Sequence, residues 1–153
     1  MALDDDIRVL SRVELFADMT QEQLRLLAFG AENMRLSAGR DLYREGHFAD
    51  SAFLVVSGAV DLYREQDGAR VTLRRVPEGS ILGEFALISE TRRVTGAMAA
   101  TDCDLIRLNR KLFRRILEEY PETAAALHRR ISARFQAMVA EIEKLEAAFS
   151  KDG

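Results

Sequence analysis

The stretch Gly79–Ala97, GSILGEFALISETRRVTGA, interrupts a strand-like region with features that a packed core does not need. Gly79 and Gly83 allow a tight turn and a close approach of backbone. The run EFALI after Gly83 reads as a short turn of helix. Its leading N–H groups have no partner inside the turn and attract an anion. Arg93 adds a charge that does not titrate and a fork of donors shaped for phosphate. Glu84, at the head of the turn, is an acceptor for neutral hydroxyls such as those of a ribose. A surface Glu–Arg ion pair across the turn would use the same residues, so residue chemistry alone leaves both readings open.

The bulk properties narrow the field. A chain of 153 residues suits one domain, which buries roughly 70% of its unfolded surface. Its net charge of −3 lacks the basic excess of a general nucleic-acid surface, so no direct DNA binding is expected. The single cysteine, Cys103, excludes an internal disulfide and fits a reducing compartment. It lies in a strand-like run and reads as a small buried hydrophobe. No apolar run approaches the ~20 residues that span a bilayer. The start, MALDDDIRVL, has acids where a secretory signal has bases, and Asp4, Asp5 and Asp6 read as a solvated end. The expectation is a cytoplasmic protein without membrane contact. His47 and His128 have no metal-ligand partner at a suitable spacing, and Ser57 and Ser80 lack an elbow and a base. No catalytic or metal residue is assigned, and the chain is not expected to be an enzyme.

Along the chain the pattern falls into three parts. Residues 1–33 read as N-terminal helices. Thr20 and Gln23 stand at capping-box spacing, followed by an apolar stripe at Leu24, Leu27 and Ala28. Residues 34–109 read as short strands punctuated by glycines, with Asp67-Gly68 as a hairpin turn. With no helices alternating between them, these strands predict a closed or rolled all-β body rather than a parallel sheet. Residues 110–150 return to helix, with Asn109 as a cap and Pro121 at the first position of a second, longer helix. In that helix Ile131, Phe135, Met138, Ile142, Leu145 and Phe149 alternate by four and three, the stripe of a coiled-coil seam, which predicts a parallel homodimer.

The segment GEFALISETRRVT resembles the phosphate-binding cassette of the cyclic nucleotide-binding domain family, through Gly83, Glu84, Ala86, Leu87 and Arg93. The Glu-to-Arg interval is similar to that of kinase-regulatory and channel-type members. Upstream, GRDLYREGHFADSAFLVVSGAVDLY matches the family's earlier signature through Gly39, Gly46, Asp50, Gly58 and Val60, and VPEGSILGE matches a further glycine turn through Gly79. The resemblance covers essentially the whole chain, as a single domain with its cassette at 83–95.

The resemblance implies a mainly β fold, a jelly-roll-like β-roll flanked by helices, with cAMP or cGMP as ligand and no cofactor. It implies that Arg93 pairs with the cyclic phosphate, and that Glu84 accepts from the ribose 2′-hydroxyl. Backbone N–H groups around Ala86 and at Val94 then add donors, and Gly83, Phe85 and Thr95 complete the ligand-binding set. Carried forward without gaps, it puts Arg134 where some members stack an arginine on the base. Three positions depart from the family's pattern. Arg92 replaces a common proline, which raises the alternative of a more highly charged ligand such as a cyclic dinucleotide. Val94 lacks the hydroxyl that favours cGMP, tilting the choice towards cAMP, although Thr95 next door could supply one. Leu82 replaces a common phenylalanine. The resulting expectation is a stand-alone sensor signalling through its C-terminal helix to a protein partner that the sequence does not identify. The alternative is a ligand-free dimerisation or interaction domain with a vestigial cassette.

Overall fold

The computed structural model describes residues 2–152, with the backbone alone at 2, 3, 142, 145, 146 and 148–152. Helix α1 (Ala2–Ser11) comes first, and Asp4 and Asp5 are exposed in its first turn. Acids there complement the helix dipole. Ile7 and Leu10 of α1 are buried, as are Leu15 and Phe16 in the 3₁₀ turn Glu14–Phe16 that follows. Helix α2 (Gln21–Gly30) is closed by the expected capping box: Thr20 accepts from the Gln23 N–H, and the Gln23 side chain accepts from the Thr20 N–H. The buried Gln23 amide also donates to Thr123 Oγ1 at 3.0 Å, tying α2 to a helix a hundred residues further on.

Ten strands then form the roll: β1 (Glu32–Leu36), β2 (Asp41–Tyr43), β3 (Phe48–Ala49), β4 (Ser51–Ser57), β5 (Val60–Gln66), β6 (Ala69–Val76), β7 (Ile81–Leu82), β8 (Thr91–Arg92), β9 (Gly96–Ala99) and β10 (Cys103–Asn109). One sheet runs β1-β10-β4-β7, the other β2-β9-β5-β6, and β3 pairs with β8. Every pairing is antiparallel. The β5–β6 hairpin turns at Asp67 and Gly68, both at positive φ (53° and 79°), as the sequence predicts.

Strands β4 and β10 are buried on both faces, and their two-residue period sorts the core into two layers. Phe53, Val55 and Leu105 point into the roll with Val60, Val76, Leu82, Ala97 and Ala99. Ala52, Leu54, Ile106 and Leu108 point outward, against the helices. Each fully buried Leu, Ile or Phe contributes roughly 1.5–3 kcal/mol. Cys103 is buried in β10 as expected.

Helix α3 (Arg110–Glu119) starts at Asn109, whose side chain accepts from the Leu112 N–H. Helix α4 (Pro121–Asp152) is a single 32-residue helix. Its beginning serves this chain's own core rather than a seam between copies. Leu127 and Ile131 are buried in the helix-facing layer, and Phe135 packs on the cassette. Met138 is half-buried. The side chains of Ile142, Leu145 and Phe149 lie outside the described residues.

Replacing Thr20 by alanine removes half of the capping box at the helix on which Leu24 and Leu27 are mounted. Urea unfolding should show a loss of about 1 kcal/mol. An unchanged midpoint would mean that α2 is held by packing alone.

Candidate functional site

The candidate site is built on the segment between β7 and β9. Gly83 takes the left-handed conformation (φ 71°, ψ 30°) and starts the 3₁₀ turn Glu84–Leu87, the short turn expected after it. A β-carbon at Gly83 would overlap Arg93 Nη1, so the glycine is required by its torsion angles and by the approach of the arginine. The outer side of the turn is fixed by Arg110, whose Nη1 donates to the Ser89 carbonyl at 2.8 Å.

Arg93 is the centre of the site. It is only 7% exposed. Its Nη2 donates to the Ser51 carbonyl at 2.8 Å, at the start of β4. Its guanidinium carbon lies 4.2 Å from the centre of the Tyr43 ring and 5.6 Å from that of Phe53. The two remaining donor atoms, Nε and Nη1, are buried with no hydrogen-bond partner. Burial lowers its pKa, yet an arginine starts so high that it remains a cation. A buried cation with two unpartnered donor nitrogens suits an oxyanion such as phosphate, through charge-assisted hydrogen bonds.

Glu84 does not pair with either neighbouring arginine. Its carboxylate, 15% exposed, stands 3.6 Å from Arg134 Nη1 on α4. Next to it, Phe85 meets Phe135 of α4 edge to face, with ring centres 5.2 Å apart. Gly83, Glu84, Phe85, Arg93 and Arg134 therefore converge, although Arg134 is distant in sequence. Ala86 is fully buried, and its N–H is donated to the Gly83 carbonyl at 3.1 Å. The expected phosphate donor at Ala86 is thus used within the turn, because a 3₁₀ turn closes one residue earlier than an α-turn. The turn's unbonded donors lie ahead of Ala86. Val94 is 48% exposed just after Arg93. Thr95 lies beside the Tyr43 phenol. Arg92, whose charge suggested a larger anionic ligand, lies with its guanidinium 4.1 Å above the exposed Phe48 ring and donates to the Gly46 carbonyl at 2.8 Å.

Three contributors were not assigned from the sequence: Tyr43, Phe53 and the Ser51 carbonyl. Desolvation pushes the Tyr43 phenol up to about 12, opposed by Arg93, raised further by Glu84, and opposed by Thr95. The signal for Tyr43 was an aromatic at the end of a strand just before the Gly46 turn.

Size does not mark the site. A surface cavity of about 430 Å³ lined by Asp50, Glu90, Arg107, Asn109, Arg110, Lys111 and Arg114 lies beside α3 and includes neither Arg93 nor Glu84. Among the described residues no group of three or more His, Cys, Asp or Glu side chains could hold a metal, and no helix is long and apolar enough to cross a membrane.

Replacing Arg93 by methionine keeps the volume and removes a buried charge with two unsatisfied nitrogens. The free protein should gain about 1–2 kcal/mol in urea unfolding, because the lost Ser51 bond is the smaller effect. A loss of stability would show that Arg93 is a structural residue.

A family model for the cyclic nucleotide-binding domain matches residues 33–120. A solved cyclic nucleotide-binding-like protein from Brucella abortus is 56% identical, with a TM-score of 0.70, covering 75% of this chain and 99% of that one. The cAMP-dependent protein kinase regulatory subunit of Eremothecium gossypii is 33% identical over 103 residues, 67% of this chain and 22% of the subunit. A lysophospholipase of Neurospora crassa is 25% identical over 134 residues, 87% of this chain but 9% of its own length. The chain thus spans less than a quarter of these two relatives. The similarity to the lysophospholipase lies in a cyclic nucleotide-binding segment and carries no catalytic activity with it. With its β-roll, its Gly83–Glu84 turn and its buried Arg93, the chain belongs to the cyclic nucleotide-binding domain family.

Proposed function

We propose that this domain is a cyclic-nucleotide sensor that takes cAMP in preference to cGMP and signals through α4 to a protein partner. The observation that carries the reading is Arg93, buried with its Nε and Nη1 donors unpartnered beside Gly83. In this reading the Arg93 guanidinium receives the cyclic phosphate, and Glu84 accepts from the ribose 2′-hydroxyl. Each charge-assisted hydrogen bond is worth about 1.5–3 kcal/mol. The regulatory-subunit relative, cAMP-dependent by name, supports the same ligand. Selectivity is read from Val94, which has no hydroxyl for a guanine amino group. The contacts of Arg92 with Phe48 and Gly46 remove the motive for a dinucleotide.

Titration calorimetry should show cAMP binding, with cGMP weaker. Arg93→Ala should lose at least ~2 kcal/mol, since the phosphate loses its charged partner. A wild-type protein that binds neither nucleotide would leave the domain as an interaction module with a vestigial cassette.

The route of the signal is the Arg134–Glu84 ion pair and the Phe85–Phe135 contact. A ribose hydroxyl on Glu84 competes with Arg134, which is then free to stack on the base. Helix α4 shifts with it, and its distal half offers a face to a second copy in a parallel homodimer. Hydrogen exchange in α4 should change on addition of cAMP, and Arg134→Ala should blunt that change more in α4 than in residues 83–95. Equal α4 exchange with and without nucleotide would move the signal to another surface.

A further inference from the structure

The Arg93 guanidinium is held on three sides. Ser51 fixes the Nη2 corner at 2.8 Å, and Gly83 closes on the Nη1 flank. The third restraint is a flat surface, the Tyr43 ring, 4.2 Å from the guanidinium carbon. That ring is itself fixed. It stacks on Phe53 with centres 6.0 Å apart and planes 29° apart. The register supports the placement: Tyr43 pairs with Ala97 across β2 and β9, which sets it beneath the loop that carries Arg93. A cation over an aromatic face is attracted by the ring quadrupole, more so when both are desolvated.

We infer that Tyr43 is a positioning residue for the anion site, its ring fixing the plane of the Arg93 guanidinium so that the unpartnered Nε and Nη1 donors point in set directions. The inference rests on the reading of Arg93 as the phosphate ligand, but the hold on Arg93 is a property of the free protein. An aliphatic side chain at 43 would fill the space yet leave the guanidinium free to rotate about its last torsions, so the donor directions would be set only by the ligand.

The test has two independent arms. In nitrogen-15 NMR of the free protein, the Arg93 Nε–H proton should be shifted upfield by the ring in wild type and in Tyr43→Phe, and should return to the ordinary arginine position in Tyr43→Leu. In calorimetry with cAMP, Tyr43→Phe should stay within about threefold of wild type, while Tyr43→Leu should bind about tenfold more weakly. In an Arg93→Lys background, where no planar group remains to stack, Tyr43→Leu should cost less than about twofold. Should Tyr43→Leu fail to fold, Tyr43→Met removes the ring at similar volume and is read in the same way. An unshifted Nε–H proton in wild type, or an equal loss in both Arg93 and Arg93→Lys backgrounds, overturns the inference. If wild type binds no cAMP, the functional reading falls, while the NMR arm still decides whether Tyr43 holds Arg93.

Discussion

A guanidinium taken out of water must find partners for its donors, and Arg93 finds only one inside the protein. Its bond to the Ser51 carbonyl leaves Nε and Nη1 buried and unmatched. Unsatisfied buried polar groups cost about 1–3 kcal/mol each, and a domain of this size has only about 5–15 kcal/mol in hand. Such a cation persists only because the roll is built around it. Strand β4 supplies the Ser51 carbonyl and Phe53, β2 supplies Tyr43, and the turn after β7 supplies Gly83, where no side chain fits. Each element is placed by sheet pairing, Phe53 opposite Leu82 and Tyr43 opposite Ala97. In the proposed reading, the donors that cost the free protein stability are those that a cyclic phosphate would satisfy.

The parts of this arrangement that lie close together in the chain were legible from residues alone. Gly83, Glu84 and Arg93 fall within one turn and one loop, and their chemistry points the same way before any fold is known. The capping box at Thr20, the Asp67-Gly68 hairpin and the Asn109 cap are equally local, and each is found as read. Tyr43 and the Ser51 carbonyl were not legible. They reach Arg93 through strand register, and a one-residue slip in β2 would turn Tyr43 to the other face. A backbone carbonyl also leaves no mark in the sequence. The hydrogen bond of Ala86 was not legible either. Both an α-turn and a 3₁₀ turn fit EFALI, and only the latter spends the Ala86 N–H on Gly83.

The heptad stripe of α4 shows the complementary limit. Apolar spacing tells which face of a helix is buried but not what buries it. Ile131 enters the chain's own core and Phe135 meets Phe85, so the first part of the stripe belongs to the domain itself. Helix α4 therefore starts in the core and continues past the candidate site without a break.

The strength of the junction between α4 and the cassette decides whether it can transmit anything. The Arg134 side chain is 43% exposed and its distance to Glu84 is 3.6 Å, so the pair is a solvated one. Pairs of this kind contribute about 0–1 kcal/mol, and an edge-to-face aromatic contact adds about 0.5–1.5 kcal/mol. The hold of α4 on the cassette through these contacts is therefore only a few kcal/mol at most. Reversing a two-state population from one part in a hundred to ninety-nine takes about 5.5 kcal/mol of differential binding. Two charge-assisted bonds to Arg93 would supply energy on that scale, but they form whether or not α4 moves and so shift nothing by themselves. The discriminating contact is the one at Glu84, because its carboxylate is the group that α4 and a ribose would both use. In the proposed mechanism Arg93 sets how tightly the nucleotide is held, and Glu84 sets how far that binding is felt by the helix.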